Sequence, residues 1–198
     1  MNRWFPLETK RLLLREFRAT DGGDIHAYAQ DPEVVQLMIW GPNTPEMTQS
    51  YLEGVLGAQQ RWPRSEIDLA IELPAEHRVI GSIALRTKDE RNATADIGYV
   101  LHRAYWGQGY MVEAARAVLD AAFLELGLHR VWATCDPRNR ASYRVMEKLG
   151  MRREAHFRKD VREKGEWRDS YLYAILREEW RDRSDGPREQ IDTEGGGD

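Results

Sequence analysis

Short apolar runs separated by polar turns dominate the first half of the chain. One run covers residues 11–17, and three others cover residues 68–73, 79–86 and 94–101. The segments between the last three runs are rich in Pro, Asp, Asn and Lys, which favour turns. The pattern therefore predicts a first strand and, later in the chain, an antiparallel meander of three strands.

Two helices are expected between the first strand and the meander. The pair Thr20-Asp21 offers an N-terminal cap for the first of them. The second helical pattern begins at residue 48 and continues to about residue 61, after a turn that contains two prolines.

The second half of the chain alternates between helix and strand. Eight apolar residues between positions 111 and 126 recur at helical spacing, and Gly127 is placed to end that helix. A β-branched and aromatic run over residues 130–135 predicts a short strand. A second helix is predicted over residues 140–149, with Gly150 as its C-terminal stop.

A hairpin and a polar tail complete the chain. Two strands are expected to flank the turn at Lys164-Gly165, and the second of them covers residues 170–176. Residues 184–198 are polar and glycine-rich, so we expect a disordered tail there. The whole pattern predicts one mixed α/β domain over residues 1–183, with a mostly antiparallel sheet and a β-α-β crossover near its centre.

Composition narrows the classes of function. The chain has 198 residues, of which 41% are hydrophobic and 31% charged, and its net charge is −4. This charge argues against binding of nucleic acid through a general basic surface. No apolar run approaches the length of a membrane span, and no secretory signal is visible. A single cysteine and five histidines without ligand spacing predict no metal. We therefore expect a cytoplasmic protein without a membrane anchor.

The segment Trp106-Gly107-Gln108-Gly109-Tyr110-Met111 has a specific chemical use. It lies between a predicted strand and a predicted helix, whose first turn leaves backbone N–H groups without partners. Glycines let the chain turn tightly there and let a phosphate approach the backbone. Two other phosphate-binding patterns do not fit. The dinucleotide fingerprint needs glycine where the chain has Val112, and no Gly-Lys-Ser/Thr triplet follows.

The same turn is part of a longer pattern. The segments 97–101 and 106–114 resemble the acetyl-CoA-binding motif of the GNAT N-acetyltransferases. Asn139-Arg140-Ala141-Ser142, followed by residues 147–151, gives a second match at the expected distance. The opening segment 7–15 resembles the first strand of one branch, the ribosomal-protein alanine N-acetyltransferases of the Rim type. These matches extend in the right order from about residue 7 to residue 176.

The resemblance implies how acetyl-CoA would be bound. Two neighbouring strands, here residues 94–101 and 130–135, would splay apart and hold the pantetheine arm between them. Backbone N–H groups from Gln108 to Met111, including those of Gly109 and Tyr110, would hold the pyrophosphate. The chain departs from the family at Trp106, where Gln or Arg is frequent. That indole would either line the coenzyme site or pack beneath the turn.

The resemblance also implies which groups carry the reaction. An amine attacks the thioester, so the site needs a base, donors for an oxyanion and an acid for the thiolate. The oxyanion donor maps to the backbone N–H of Val100 or Leu101. Ser142 is the candidate acid, and Asn139 would contact the pantetheine arm. Both also suit a helix N-terminus, where Asn is a common cap and Ser is unremarkable.

The base is the least defined of these groups. Asp96 lies on the strand before Gly98, where relatives often carry a carboxylate. Asp160 and Glu163 near the late hairpin are alternatives, and a chain of waters is another. Strand alternation puts Asp96 on the same face as Gly98 and Val100. Cys135 is interpreted as a small buried residue rather than as a nucleophile.

The acceptor is an amine whose identity the sequence leaves open. The Rim-type resemblance suggests a protein N-terminal α-amine, as in ribosomal proteins, and the alternative is a small-molecule amine such as a polyamine, an amino acid or an antibiotic. Tyr28, Trp40, Trp62 and Trp167 are candidates to line the acceptor groove. A non-catalytic acetyl-CoA sensor is a rival class, and a dinucleotide-binding dehydrogenase is another. Relatives often dimerise, so a homodimer stays open.

Overall fold

The computed structural model describes residues 4–61 and 63–184 of the chain, and the side chains of this part up to residue 181. The described strands are β1 (Leu7–Glu8), β2 (Leu13–Arg15), β3 (Glu66–Leu73), β4 (Arg78–Asp89), β5 (Thr94–Leu101), β6 (Arg130–Cys135), β7 (Arg152–Glu163) and β8 (Glu166–Leu176). The described α-helices are α1 (Gly22–Ala29), α2 (Pro32–Val35), α3 (Pro45–Gln59), α4 (Tyr110–Asp120), α5 (Arg140–Lys148) and α6 (Arg177–Ser184).

All described strands belong to one sheet. Its order is β1-β2-β3-β4-β5-β6-β8-β7, and the pairs are antiparallel except for β5 with β6. The strands β3, β4 and β5 form the predicted meander. The helix α4 provides the crossover from β5 to the parallel strand β6. The predicted α/β fold class, with a mostly antiparallel sheet, is confirmed.

Two hydrophobic clusters cover the two faces of the sheet. The larger cluster includes Met111 and Leu119 of α4, Met146 of α5 and Ile97 of β5. The smaller cluster includes residues of α1, α2 and α3 together with Val100 of β5. The expected alternation along β5 is therefore present, with Ile97 on one face and Val100 on the other. We call these the α4–α5 face and the α1–α3 face.

Several element bounds differ from the sequence prediction. The strand expected over residues 11–17 is only Leu13–Arg15, because the chain then turns towards α1. The Arg15 guanidinium pairs there with Asp21 at 2.8 Å, and the Asp21 carboxylate also accepts from the backbone N–H of Arg18. The helix expected from residue 48 begins at Pro45, where the Thr44 hydroxyl accepts from the Met47 N–H.

Two further differences from the sequence prediction lie at the end of α4 and at the end of α6. After Asp120 the helix widens into a π-type turn over residues 121–125, and Gly127 follows with φ +67°. Ser184, expected in the tail, is the last residue of α6, and residues 185–198 lie outside the described residues. Within residues 4–61 and 63–184, no helix combines the length and apolar character needed to cross a membrane.

Candidate active site

A gap opens in the middle of the sheet between β5 and β6. The two strands pair only from Thr94↔Arg130 to Asp96↔Trp132. Beyond that point β5 stays with β4 as far as Leu101, and β6 stays with β8 as far as Cys135. The second half of β5 therefore has one edge that no described strand occupies. This is the splayed pair that the motifs implied.

One cavity extends through this gap and is lined by residues of both sheet faces. Its volume is ≈ 970 Å³, which is in the range of cofactor and substrate clefts. On the α1–α3 face its walls include Tyr28, Asp68 and Asp96, and on the α4–α5 face they include Tyr99 and Ser142. A molecule bound on one face can therefore reach a molecule bound on the other.

The glycine turn lies at the mouth of this cavity. Gly107 has φ +74° and Gly109 has φ +82°, a backbone region that side chains other than glycine rarely adopt. Gly109 is the N-cap of α4, and Tyr110 is its first residue. The first N–H groups of α4 have no carbonyl partner within the helix, and the helix dipole adds partial positive charge beside them. The turn thus fits a phosphate group.

Arg11 fastens this turn to the start of the chain. Its Nε donates to the Glu113 carboxylate at 2.6 Å, and its Nη1 donates to the Gln108 carbonyl at 3.0 Å. The guanidinium also lies 4.2 Å from the centre of the Tyr110 ring. Its Nη2 is 3.6 Å from the position that a Cβ on Gly109 would occupy. A fixed positive charge therefore stands beside the turn, although position 106 carries no cation.

Glu113 is the anchor of this arrangement. Its carboxylate accepts from the Thr9 hydroxyl at 2.7 Å and from the Arg11 backbone N–H at 2.8 Å. Partial burial opposes ionisation, but the hydrogen bonds from Thr9 and Arg11 outweigh it and hold the pKa of Glu113 below its ordinary value. The carboxylate consequently stays charged and keeps Arg11 in place at neutral pH.

Trp106 interacts with the end of β5. Its indole Nε1 donates to the Leu101 carbonyl at 2.8 Å, while 42% of the residue remains exposed.

The backbone at the end of β5 presents one N–H group to the gap. The His102 N–H donates to the Ile80 carbonyl of β4 at 2.8 Å. Because an antiparallel ladder alternates, the N–H of Val100 faces β4 and that of Leu101 faces away from it, towards the gap. Trp106 thus lines the cavity and also fixes the backbone beside this N–H.

Tyr99 and Ser142 meet across the α4–α5 side of the gap. The Tyr99 hydroxyl donates to the Ser142 carbonyl at 3.0 Å and lies 3.3 Å from the Ser142 hydroxyl. Burial raises the pKa of Tyr99 above its ordinary value, and the contact with Ser142 offsets this only in part. The Asn139 side chain accepts from the Ser142 N–H at 3.0 Å and so caps α5. The predicted acid is therefore held by two neighbours.

Cys135 is at the end of β6, in the same wall of the cavity. Burial raises the pKa of its thiol to about 11, although the Ser142 hydroxyl interacts with it and acts in the opposite direction. A thiol with that pKa is almost wholly protonated at neutral pH and is a poor nucleophile.

Asp96 lies on the α1–α3 face and is engaged by two cations. Its Oδ1 is 2.9 Å from Lys88 Nζ, and its Oδ2 is 3.4 Å from Arg86 Nη1. The contact with Lys88 is an ion pair without the directionality of a hydrogen bond. Gly98 makes room for this arrangement, because a Cβ there would lie 2.9 Å from Arg86 Nη1. Asp96 lines the cavity, but both of its oxygens already face positive charges.

Sequence reasoning missed three residues of this site. Arg11 and Tyr99 lay inside the quoted motifs, but their roles depend on contacts with residues far along the chain, Glu113 and Ser142. Asp68 was included only as the first residue of a predicted strand. Its side chain is 17% exposed, and burial raises its pKa to about 6. A charged residue between the apolar positions of a central strand was the available signal.

Only some of the residues expected on the acceptor side line the cavity. Tyr28 and Trp40 line the cavity, whereas Trp167 is 60% exposed and does not. Trp62 lies outside the described residues. Glu163 lines the cavity. Asp160 is exposed and is not part of its wall.

The tip of the β7–β8 hairpin reaches across to α2. Lys164 Nζ donates to the Val35 carbonyl at 2.6 Å, and Arg168 Nη1 donates to the Gln36 carbonyl at 3.3 Å. Both carbonyls lie at the C-terminal end of α2, where cations are favourable. We call these two contacts the hairpin latch. The latch closes one side of the cavity on the α1–α3 face.

These features define a class of protein. A sheet with one splayed parallel pair, a cavity through the splay and a glycine turn at the following helix is the architecture of an acyl-CoA-dependent acyltransferase. The model of the family described as "Acetyltransferase (GNAT) domain" matches residues 11–152. The chain belongs to this family and is a GNAT N-acetyltransferase, with acetyl-CoA as its cosubstrate.

Individual relatives agree with this assignment. The uncharacterized N-acetyltransferase YnaD of Bacillus subtilis (strain 168) is 39% identical over 175 residues, which are 88% of this chain and 98% of YnaD. A GNAT-family acetyltransferase structure from Bacillus anthracis has a TM-score of 0.78 at 37% identity and covers 87% of this chain and 99% of its own. The structure of the spermidine N-acetyltransferase of Vibrio cholerae, solved with CoA and spermine, has a TM-score of 0.74. The match covers 87% of this chain and 99% of that one. Its identity of 18% shows the fold alone.

Proposed function

We propose that residues 1–183 form a catalytic domain that transfers the acetyl group of acetyl-CoA to a primary amine by direct attack. The single observation that carries this proposal is the cavity through the β5–β6 gap, whose walls belong to both sheet faces. Coenzyme would enter from the α4–α5 face and the amine from the α1–α3 face. The two reactants would then meet beside the second half of β5.

The coenzyme-holding residues follow from the turn and the gap. Backbone N–H groups between Gln108 and Met111, with those of Gly109 and Tyr110, would bind the pyrophosphate. Gly107 supplies the backbone conformation, and Trp106 would border the pantetheine arm. Asn139 would contact the same arm through the polar atoms of its side chain that do not cap α5. The positive φ values of both glycines support this assignment.

Two of the catalytic roles are assigned to groups beside the β5–β6 gap, and a third group positions one of them. When bound, acetyl-CoA supplies a thioester carbonyl that an amine can attack. The Leu101 N–H would donate to the carbonyl oxygen as negative charge develops there, whereas the Val100 N–H is used by β4. As the new C–N bond forms and the C–S bond breaks, the Ser142 hydroxyl would give its proton to the sulfur and recover one from solvent. Tyr99 would hold Ser142 in the position for this transfer.

The attacking amine must lose a proton, and Asp96 is our candidate to receive it. Its carboxylate faces the acceptor side of the gap, on the same strand as Leu101. Because Lys88 and Arg86 flank both oxygens, we infer that the proton passes through an intervening water rather than directly. The charged partners would then keep the carboxylate oriented between turnovers.

A small-molecule amine is the acceptor that the geometry favours. The hairpin latch closes one side of the acceptor half of the cavity, and this enclosure supports a small or slender acceptor. A protein N-terminal α-amine is the second candidate, supported by the Rim-type resemblance of residues 7–15 and by the access that a flexible chain end would have. A cavity with one closed side fits a slender amine better than it fits a folded protein surface.

The proposal is tested first by binding and then by turnover. Calorimetric titration should give one-site binding of acetyl-CoA and none of NADH. Release of free thiol should then follow addition of an amine from a panel of small amines and short peptides. Binding without thiol release for any amine would indicate a sensor and overturn the enzymatic proposal. Binding of NADH in place of acetyl-CoA would overturn the coenzyme assignment as well.

A further inference from the structure

A cluster of polar groups on the acceptor side of the cavity has no role in the chemistry described above. Asp68 of β3, Ser82 of β4, Tyr28 of α1 and Tyr51 of α3 all line the cavity. They come from four different elements on the α1–α3 face. The sheet register brings the first two together, because Asp68 pairs with Ala84 and Ala70 pairs with Ser82. We call these four residues the Asp68 cluster.

The Tyr28 hydroxyl is the most unusual member. Tyr28 is 2% exposed, and its hydroxyl has no partner at full hydrogen-bonding geometry within the described residues; the Ser82 side chain interacts with it only enough to offset part of the rise in its pKa. Burial raises the pKa of Tyr28 above its ordinary value, so the group stays neutral. An unpartnered buried hydroxyl is costly in a protein that gains nothing from it. In the wall of a cavity, it indicates a ligand that supplies the missing partner.

Asp68 lacks a close partner as well. Its nearest described cation is Arg86, whose Nη2 is 3.8 Å away, too far for a hydrogen bond. Arg86 is shared with Glu66 and with Asp96. The remaining cation nearby, Lys88, is paired with Asp96.

The local charge balance follows from these pairs. Three carboxylates, Glu66, Asp68 and Asp96, face two cations, so one negative charge is left over. Asp68 is the carboxylate with the longest contact, and it faces the cavity. The uncompensated charge is therefore directed at the acceptor.

The chemistry of this cluster fits an ammonium group. An ammonium carries three donors and no acceptor, and it is bound best by a carboxylate together with neutral oxygens. The cluster supplies one carboxylate and three hydroxyl oxygens. Tyr51 is 38% exposed as a residue, yet burial around its hydroxyl raises the pKa of Tyr51 above its ordinary value, so that hydroxyl is neutral too. No described positive side chain occupies this position in the cluster.

We propose that the Asp68 cluster binds a second positively charged group of the acceptor, so that the preferred substrate is a diamine. Asp68 is on β3, two strands away from β5, and strand spacing puts it roughly 10 Å from the reacting edge. That separation is too long for direct proton transfer from the attacking nitrogen. It suits the far end of an acceptor whose two amines are separated by about five carbons. This inference rests on the function proposed above.

The test compares two acceptors that differ only at the far end. Pentane-1,5-diamine carries an ammonium there, and 5-aminopentan-1-ol carries a neutral hydroxyl. In calorimetry with the parent protein, we expect the diamine to bind at least about tenfold tighter, as a charge-assisted hydrogen bond implies. In Asp68→Asn this preference should fall to about twofold or less. Asp160→Asn removes an exposed carboxylate outside the cavity wall and should keep the parent's preference.

Tyr28→Phe separates recognition from folding. Removing an unpartnered buried hydroxyl should leave Tm unchanged or raise it, whereas the preference for the diamine should fall about threefold or more. A purely structural hydroxyl would instead lower Tm and leave the preference intact. That result would overturn the proposal, as would equal binding of the two acceptors by the parent or a preference retained in Asp68→Asn.

Turnover keeps the two proposals distinguishable. The binding preference is measured without acetyl transfer, so it reports on the Asp68 cluster alone. Failure of both amines to release thiol from acetyl-CoA would count against the small-molecule acceptor proposed above. Acetylation of both amines at equal kcat/KM would support the proposed function and overturn the diamine preference.

Discussion

The hydroxyl of Tyr99 lies 3.3 Å from the hydroxyl of Ser142, and it also donates to the Ser142 carbonyl at 3.0 Å. Strand β5 and helix α5 are thereby joined at the point where the thioester sulfur is expected. The two hydroxyls are held by partners on the protein, so they are in place before any ligand arrives. Pre-positioned groups of this kind lose little free energy to reorganisation during a reaction.

Ser142→Ala should lower kcat more than it weakens coenzyme binding. A general acid contributes about 10²-fold or more, so we expect a fall in kcat of that order with the Kd for acetyl-CoA changed by less than about threefold. Tyr99→Phe should lower kcat less, because it removes only the group that positions Ser142. If Tyr99 acts through Ser142, the double variant should be no slower than Ser142→Ala. Additive losses would show that Tyr99 acts independently.

Gly109→Trp should abolish tight binding of acetyl-CoA. Its φ of +82° strains any side chain, and an indole there would fill the approach to the first N–H groups of α4. Gly165→Trp is the matched control, because its φ is +84° and a Cβ there meets nothing within 4 Å. Both variants should lose on the order of 1–2 kcal/mol of stability for the backbone alone. Equal acetyl-CoA affinity in the two folded variants would remove the turn from the coenzyme site.

Cys135 should play no covalent part in the reaction. Burial raises its pKa to about 11, so alkylation by iodoacetamide at pH 8 should be slower than that of a free cysteine by a factor of about 100. Cys135→Ala should keep kcat within about threefold of the parent. Trapping of an acetyl group on this thiol, detected by mass spectrometry, would contradict the direct-attack mechanism.

Asp68 should make the stability of the protein depend on pH near 6. Burial raises its pKa to about 6 in the folded state, above the unfolded value of about 4. Between these values the folded state binds more protons, so the free energy of unfolding falls as pH rises through this window. The expected loss is on the order of 2 kcal/mol between pH 4 and pH 7. In denaturant titrations, the free energy of unfolding of Asp68→Asn should not show this fall between pH 4 and pH 7. If the variant keeps the parent's pH dependence, Asp68 is not its source.

The hairpin latch should control access of the acceptor. Lys164→Met keeps the length of the side chain but removes the donor to the Val35 carbonyl. We expect the KM for the amine to rise several-fold, because the acceptor half of the cavity loses one closed side, while the Kd for acetyl-CoA stays constant. Lys159→Met, on β7 of the same hairpin, is the matched control, since both lysines have φ +51°. An equal effect of the two substitutions would show that the latch has no specific role.

The sequence predicted the central strands better than the groups around the acceptor. The bounds of β5 and β6 agree with the expected ranges 94–101 and 130–135, because both strands are buried, β-branched runs that end at clear turns. The β7–β8 hairpin was expected from Lys164-Gly165, but the pattern did not indicate that its tip contacts α2.

The local geometry of the site could be predicted only where a motif specifies it. The glycine turn is such a motif, and so is the Asn139 cap. The uncompensated charge of Asp68 is a property of three neighbouring strands and became visible only with their register. The roles of Ser142, Asp96 and the coenzyme-binding residues, the homodimer and the cytoplasmic location stay predictions.

Arg11 and Glu113 are 102 positions apart in the chain, yet their ion pair fixes the turn beside α4. During synthesis, a chain in which Glu113 has not yet been added lacks the ion pair that holds this turn. Contacts between residues so far apart form late in folding, because closing the intervening segment costs conformational entropy that the contact offsets only once it has formed. We therefore expect tight binding of acetyl-CoA only after Arg11 and Glu113 have come into contact. A fusion or truncation that displaces the first dozen residues would therefore lower coenzyme affinity even though the glycine turn itself is unchanged.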